Sequence, residues 1–509
     1  MKQQCSMISA LYILSILVFE VFYVDNAYFN IMEAKAMMLR IITAAFIVLF
    51  LVMILTFAFR ENAAKSLKKK ISQLDIVDYA VIIFAAVSVI SCIFSDYPSE
   101  AMSGSRGWGG GAWMYVCLAL LYFFVSRSIK AGRGFFLTML VSGSVIFLWS
   151  ILNMCSVDLF GMHEGIYGGK SAALCYLSSI GNSNSMAGYA SMLTAAAGVL
   201  FVAAEKKSSR IAYGVFLFLG YTCCVVANCD GVYLGLAAAA FCMTFYAVGS
   251  MKRIRALVME GVIFSAAVCF VRLLRLVSTR EKFVDLTGVS AYICEGNLFV
   301  VILLVFLAAY IAISIVKLPD FSRFAKWLRV GTAAVFVIAA VGAALCAARD
   351  FGDEWGSFRG YIWRRSAEMF SELDIKGKIF GVGPDCFGIL FASDPKATLP
   401  GAIVLNAHNE WLQYLITTGI VGTAAYAFMW AAPACDALFI RKKMSAPRAA
   451  VLAAVAAYAA QAVVNNPQPL CMSVLFLFLS MYRAGGELFE MDRSVLDVFG
   501  RETVGTVEK

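Results

Sequence analysis

Charge is scarce in this sequence. Only 15% of its 509 residues are Asp, Glu, Lys or Arg, against about 25% in an ordinary soluble domain. Hydrophobic residues make up 61%, and mean hydropathy is +0.80. A soluble monomer tolerates exposed apolar patches of about a few hundred Å², and this composition goes far beyond that. A soluble enzyme and a disordered chain are therefore excluded. Histidine is scarcer still, with two residues in the chain. No CxxC pair occurs among the 15 cysteines, so a zinc or iron–sulfur site is not expected. Most cysteines, including Cys92, Cys117, Cys223, Cys224, Cys242, Cys269, Cys346 and Cys471, lie inside apolar runs. There they act as small buried hydrophobes, which excludes a disulfide scaffold. Cys155 and Cys175 share one polar loop and could pair if geometry allows. The net charge of +9 is dispersed in short clusters, so a nucleic-acid partner is not expected.

What the chain has is a series of apolar runs near the ~20 residues needed to cross a bilayer. They fall at 8–24, 36–59, 76–95, 112–126, 134–152, 186–204, 211–229, 232–250, 257–274, 297–316, 330–348, 408–432, 450–464 and 470–484. The expected fold is all-α: a polytopic transmembrane helical bundle of about twelve to fourteen spans. No A-x-A cleavage site follows the first run, which reads as an uncleaved anchor. The 257–274 run is the weakest, because it contains Glu260 and ends at Arg272. The 112–126 and 450–464 runs are short.

Basic residues recur in alternate loops, as the positive-inside rule requires. The clusters hold Arg60, Lys65, Lys68, Lys69 and Lys70; Arg127, Lys130 and Arg133; Lys206, Lys207 and Arg210; Lys252, Arg253 and Arg255; Lys317, Arg323, Lys326 and Arg329; and Arg441, Lys442, Lys443 and Arg448. Both termini are then expected in the cytoplasm of a multi-pass inner-membrane protein. The layout is helices over 1–348, a large outer loop over 349–407, helices over 408–484 and a cytoplasmic tail over 485–509. No internal repeat is evident, so the inverted-repeat sign of many transporters is missing.

Three expected outer segments carry chemistry. Residues 96–111 are Gly-rich, and their backbone N–H groups could approach an anion; Arg106 lies among them. Residues 153–185 are polar and end in Asn182 and Asn184, which can cap a helix or bind sugar hydroxyls. Residues 349–407 hold Arg349, Arg359, Arg364, Arg365, Lys376, Lys378 and Lys396. A cationic outer loop suits an anionic ligand or a solvated surface. Within it, 359–373 can form an interfacial helix with an apolar side of Ile362, Trp363, Ala367 and Phe370, ended by the turn GVGPD (381–385). Arginine forks bind diphosphate oxygens in pairs, and Arg359, Arg364 and Arg365 are the candidates. His163 reads as a surface histidine. His408 falls where a polar loop enters an apolar run, with Asn409, Glu410 and Gln413 close by. It is either a proton acceptor near neutral pH or a helix cap. Asp230, in the short turn NCDG (228–231), is a functional candidate or a solvated turn residue.

The ordered set SGSRGWGG (103–110), GNSNSMAGY (181–189), SFRGYIWRRSAEMF (357–370), GVGPDCF (381–387) and HNEWLQYLITTGIVG (408–422) resembles the O-antigen ligase / O-antigen polymerase superfamily of bacterial membrane glycosyltransferases. The block 357–422 is the most specific part, and the N-terminal third the least. The resemblance implies an enzyme that uses no metal and no other cofactor. Its donor would be a glycan on polyprenyl diphosphate at the outer membrane face. Its acceptor would be a hydroxyl of another glycan or lipid. Carried over, His408 matches the loop histidine that activates the acceptor, and Arg359 the arginine that engages diphosphate. Arg364, Arg365 and Arg106 are further diphosphate candidates, with Asn409, Gln413, Asn182 and Asn184 on the glycan side. One departure stands out. Where many members carry Ser-Arg-Gly, this chain has Cys229-Asp230-Gly231. Two other readings remain open at this point: an exporter of an anionic solute, and a non-catalytic envelope scaffold. A monomer is the default, and the bilayer is the one certain partner.

Overall fold

Each of the fourteen apolar segments coincides with a helix in the computed structural model. It describes residues 2–58, 74–105, 107–128, 133–166, 175–277, 285–316, 322–397, 399, 403–440 and 444–484. Arg60, Lys65, Lys68, Lys69, Lys70, Arg106, Lys130, Lys317, Arg441, Lys442, Lys443 and the tail from 485 lie outside these residues.

In chain order the helices are α1 (Lys2–Leu14, continued by a π-helical turn over Ser15–Glu20), α2 (Ile31–Ala58), α3 (Ile76–Phe94), α4 (Pro98–Ser103), α5 (Ala112–Ser128) and α6 (Arg133–Met154). A two-residue hairpin, Tyr176–Leu177 against Gly181–Asn182, precedes α7 (Ser183–Ala203). Then come α8 (Lys207–Val226), α9 (Gly231–Ala247), α10 (Met251–Val277), α11 (Gly288–Cys294), α12 (Leu298–Ile315) and α13 (Ala325–Arg349). The large loop carries α14 (Trp355–Glu372), α15 (Ile375–Phe380) and α16 (Phe387–Ser393), and the chain returns through α17 (Glu410–Cys435), α18 (Ala446–Gln461) and α19 (Pro469–Ala484). Ten helices among the described residues are long and apolar enough to cross a membrane, and four further apolar helices are shorter. The weak 257–274 segment belongs to the 27-residue α10. The protein is an all-α polytopic helical bundle.

Helix α7 forms the centre, with 94% of its apolar window buried. Its small residues let neighbours approach closely. Gly188 faces the Gln461 amide of α18, and Gly235 of α9 sits against Ser191 and the Ala457 carbonyl. By contrast α12 and α13 bury no residue.

Loops assigned to one side do meet. Tyr28 donates to the Ser178 carbonyl, and Asp230 accepts from the Val289 N–H at 2.9 Å. Ser105 and Gly110 reach Asp385. At the opposite end Asp78 pairs with Arg127 at 2.6 Å and accepts from Tyr122 at 2.7 Å. Arg483 of α19 closes on Asp75 at 2.7 Å and on Asp78 at 3.4 Å.

Buried ionisable groups in the spans exceed the expected Glu260. Lys35 donates to the carbonyls of Glu20, Val21 and Tyr23, satisfying groups left open at the end of the first helix. Glu20 accepts from Ser473, and Glu260 from Tyr221.

Helix α17 is broken at Gly419, whose backbone (φ 68, ψ −170) is one that L side chains rarely adopt. The break exposes the carbonyls of Ile416 and Thr417, and the turn after α15 fills it: the N–H groups of Val382 and Gly383 donate to them at 3.0 and 2.9 Å. Ser91 adds a hydroxyl to the Thr417 carbonyl at 3.0 Å. The large loop over 349–407 is thereby stitched into the bundle by backbone.

Two expectations about that loop are corrected. Helix α14 ends at Glu372, and it is α15, not α14, that the GVGPD turn terminates. Its inward face keeps three of the four expected residues: Ile362, Trp363 and Phe370 pack, with Met369, against Phe387, Phe391, Ala407 and Ile416, while Ala367 is exposed and Arg365 is buried. The apolar side is therefore covered by protein rather than laid on a bilayer. Cys155 and Cys175 are not joined in a disulfide.

Candidate functional site

The entry to α17 is built by its own side chains. Asn406 accepts from the His408 N–H at 3.0 Å, Asn409 caps the helix through the Leu412 N–H at 3.1 Å, and Gln413 reaches back to the Ala407 N–H at 2.9 Å. These bonds hold His408 in a left-handed conformation (φ 48). Such strain in a residue other than glycine clusters at functional sites. The imidazole is largely enclosed, and its Nδ1 has no hydrogen-bond partner. Burial pushes its pKa down to about 4, and the Arg359 cation adds to the push. His408 is thus neutral at pH 7, with one nitrogen unused.

Arg359 follows a turn in which Gly356, Ser357 and Phe358 all have positive φ. Trp363, one helical turn on, donates from Nε1 to the Ala407 carbonyl at 3.0 Å and ties α14 to the histidine loop. Arg359 is half-buried and has no ion-pair or hydrogen-bond partner among the described residues. Its charge acts on both His408 and Cys229. Cys229 donates to the Asn184 side chain at 3.1 Å, and Asn465 donates to the Asn184 carbonyl at 2.9 Å. Arg359, His408, Cys229, Asn184 and Asn465 therefore come from distant parts of the chain to one place. Beside Asn465, Asn466 is 3% exposed and its Nδ2 has no partner.

The other expected site residues are engaged within the protein. Arg364 pairs with Asp353 at 2.9 Å and Glu368 at 3.0 Å. Arg365 meets Glu368 at 2.8 Å, Glu372 at 2.9 Å and Asp394 at 2.5 Å. As diphosphate ligands both are displaced by these carboxylates, which fill their donor forks, and Arg359 alone of the three is open. Arg106 lies outside the described residues. Asn182 caps α7 through the Asn184 N–H at 2.8 Å. Asp230 holds the start of α11 through the Val289 N–H. The Gly-rich loop is no open anion cradle: Ser105 and Gly110 donate to Asp385 at 2.7 and 3.0 Å, and Gly107 to Glu33 at 3.1 Å. Arg40 pins the same loop through the carbonyls of Ser103 and Gly109. His163 is not a bare surface group, since its ring meets the Tyr176 carbonyl at 3.0 Å and Asp158 at 3.4 Å.

Next to this constellation is a cleft of about 320 Å³, counting the space open to solvent. Gln413, Tyr414 and Thr417 of α17 form one wall, Trp108, Gly110, Met114 and Tyr115 another, and Asp385, Pro467 and Pro469 complete it. Neither Lys35, Glu20 nor Glu260 is among these residues. The Tyr115 and Tyr414 hydroxyls are 3.1 Å apart. Crowding by protein raises the Asp385 carboxyl to about 6, against the lowering effect of its N–H donors and the Arg40 cation. Below the cleft Glu410 is fully buried and accepts from Tyr426 at 2.5 Å and Tyr458 at 2.6 Å.

No protein-family model and no curated protein matches this chain. Asp385, Trp108, Cys229, Asn465 and Asn466 are the site residues that sequence reasoning missed. One local signal was available for the last two: NNPQP (465–469) is a polar, proline-broken run between two apolar helices.

Proposed function

We propose that the chain is a membrane glycosyltransferase that moves glycan from a polyprenyl diphosphate carrier to an acceptor hydroxyl, in the manner of the ligases and polymerases it resembles. The observation that carries the reading is a neutral histidine, His408, with an unused ring nitrogen, that feels the charge of Arg359, a cation without a partner among the described residues. The acceptor oxygen attacks the anomeric carbon and forms the new glycosidic bond. The bond from that carbon to the diphosphate oxygen breaks, and its electron pair leaves with the lipid diphosphate. The acceptor proton passes to His408. Arg359 offsets the charge that develops on the leaving group. A bound diphosphate also neutralises the Arg359 cation, which makes His408 a better base once substrate is present. We place the reaction on the outer face of the cytoplasmic membrane, with both termini inside.

The test is turnover by the reconstituted protein with a labelled polyprenyl-diphosphate glycan, wild type beside His408→Ala. Released polyprenyl diphosphate and product length are read. A ladder of longer glycans made only by wild type means polymerisation, and a single transfer that needs an added acceptor means ligation. Full activity in His408→Ala sinks the mechanism.

A further inference from the structure

The chain has two histidines, and the reaction proposed above uses His408. The other, His163, lies in the loop after α6, with its side chain 13% exposed. Both of its ring nitrogens face acceptors. Nε2 is 3.0 Å from the Tyr176 carbonyl oxygen, and Nδ1 is 3.4 Å from Oδ2 of Asp158. A carbonyl oxygen cannot donate. Asp158 cannot donate while it is ionised, and its surroundings keep it so. Burial works against the charge, but the N–H groups of His163 and Met162 and the nearby imidazole outweigh it and hold the carboxyl below its usual range. A neutral imidazole has one N–H and satisfies one of the two acceptors, whereas an imidazolium has two and satisfies both. The geometry is that of a protonated ring. Tyr28, from the turn before α2, places its ring centroid 5.1 Å from the imidazole, and Tyr176 of the hairpin stacks on Tyr28. Burial pushes both phenols and the Cys175 thiol up, so all three stay neutral while a histidine titrates. Glu164 folds back over Gly161, and Lys170 lies outside the described residues.

We propose that His163 is a proton-operated latch: charged, it ties the loop after α6 to the hairpin before α7 at two points, and neutral, it lets one of them go. Two forms of the neutral ring are open to it. With the proton on Nε2, the Nδ1 lone pair faces the Asp158 carboxylate and is repelled. With the proton on Nδ1, the Tyr176 carbonyl loses its donor. Either way the loop is held more firmly in acid than in alkali. The tie leads to the candidate site through one strand. Tyr176 pairs with Asn182 across the hairpin, Asn182 caps α7 through the Asn184 N–H, and the Asn184 side chain takes the Cys229 thiol. Proton uptake at His163 therefore firms the strand that ends at the Asn184 corner of the site. The tip of the hairpin is held without titration. Asn153 accepts from the Ser178 N–H at 2.7 Å, and Tyr28 donates to the Ser178 carbonyl at 2.8 Å. Proton release thus loosens the Tyr176 strand and leaves the tip in place. The latch works in this way whether or not the chain transfers glycan.

The experiment is hydrogen–deuterium exchange on the full-length protein in nanodiscs at about pH 5 and about pH 8, which bracket the titration of histidine. Rates are corrected for the intrinsic effect of pH on exchange. Peptides covering 155–166 and 175–182 are followed in wild type, His163→Gln and Asp158→Asn, each first shown to be monodisperse by size exclusion. A hydrogen bond to a charged group shifts an equilibrium by about tenfold or more, so wild type should exchange about tenfold faster over these peptides at the higher pH. His163→Gln has no proton to lose and should give one corrected rate at both pH values. Its difference from wild type also separates the latch from the pH responses of His408 and Asp385. Asp158→Asn keeps an acceptor oxygen for the Met162 and His163 N–H groups and removes the charge, so its step should be about half that of wild type or less. Equal rates in wild type at the two pH values overturn the proposal. A step of wild-type size in His163→Gln or in Asp158→Asn overturns it too.

Discussion

Trp363 donates its indole N–H to the Ala407 carbonyl at 3.0 Å, one residue before His408. The helix that carries Arg359 is thereby fixed to the loop that carries the histidine. The two groups lie at opposite ends of the long segment between α13 and α17, and this bond helps set their distance. Trp363→Phe keeps the ring and removes the donor. A neutral hydrogen bond of this kind contributes about 1 kcal/mol net, so the melting temperature should change little. Turnover should fall about tenfold, because small misplacements of reacting groups are expensive in rate. Unchanged turnover would mean that the tie is incidental.

The three loop arginines should separate by phenotype. Arg359→Ala removes an unpartnered cation, and it should leave folding intact while turnover falls by about a hundredfold or more. Arg365→Ala strands Asp394, Glu368 and Glu372 and should destabilise the large loop by about 2–3 kcal/mol. Arg364 is exposed, and its replacement by Ala should leave the melting temperature almost unchanged. Thermal unfolding and turnover, measured on the same preparations, sort the three. A stable Arg365→Ala that has lost turnover would return that residue to the diphosphate site.

His408 and Asp385 should pull stability in opposite directions with pH. The His408 pKa is lowered from 6.5 to about 4. Below 6.5 the unfolded chain takes up a proton that the folded protein refuses, so this group lowers stability as pH falls from 6.5 to about 4. The Asp385 pKa is raised from 3.8 to about 6. Between those values the unfolded chain releases a proton that the folded protein keeps, so this group lowers stability as pH rises. Within its window each group changes stability by about 1.4 kcal/mol for every step of one in pH, and between pH 4 and 6 the two offset one another. Relative to wild type, His408→Gln should lose stability as pH rises from 4 to 6, and Asp385→Asn should gain it. Melting at pH 4, 5 and 6 reads both slopes. Curves parallel to wild type would contradict these environments.

Gly419→Ala should be among the most damaging substitutions in the chain. A Cβ there would sit 2.2 Å from the Ile379 carbonyl oxygen, on a backbone with φ +68. Strain and clash together should amount to about 3 kcal/mol or more. Gly381→Ala, whose Cβ would lie 2.3 Å from Thr417, should behave alike. Limited proteolysis of the large loop is the readout, since both glycines stitch it to α17. Wild-type resistance in either variant would show that the seam can relax.

Glu410→Ala should destabilise by about 2–4 kcal/mol, since it removes the carboxylate acceptor of the buried Tyr426 and Tyr458 hydroxyls and leaves Tyr458 only the weak Met472 sulfur at 3.7 Å. Glu410→Gln keeps one acceptor oxygen and should lose about half as much. A fluorescence melt distinguishes them, and equal loss would point to the charge rather than the bonds.

How much of this was legible follows from the range of each interaction. The fourteen apolar segments could be read because hydropathy is local, and each coincides with a helix. The Asn182 cap was also visible, since a cap reaches only two or three residues, but at α17 the cap is Asn409 and not His408, to which the sequence offered that role. The partners of Arg364 and Arg365 were harder. Glu368 and Glu372 are within two turns, but Asp353 and Asp394 come from other segments. Asp385 was invisible as a site residue, because its donors lie 275 and 280 positions away. The break at Gly419 could not be seen either. Nothing in the run LITTGIVG says that a distant turn will supply the missing N–H groups.

The ion cluster around Asp78 has a consequence for how the protein is made. Arg127 follows 49 residues later, but Arg483 is 405 residues downstream. At a synthesis rate of about 5–20 residues per second, the first partner of Asp78 is made within seconds and its second roughly 20–70 s after that. Until then Asp78 has Arg127 and Tyr122 as side-chain partners among the described residues. The place reserved for α19 stays unfilled until that helix has been made. A chain cut short before Arg483 would leave the membrane insertion machinery with an incomplete ring and a half-neutralised aspartate, which is the kind of defect quality-control proteases are built to recognise.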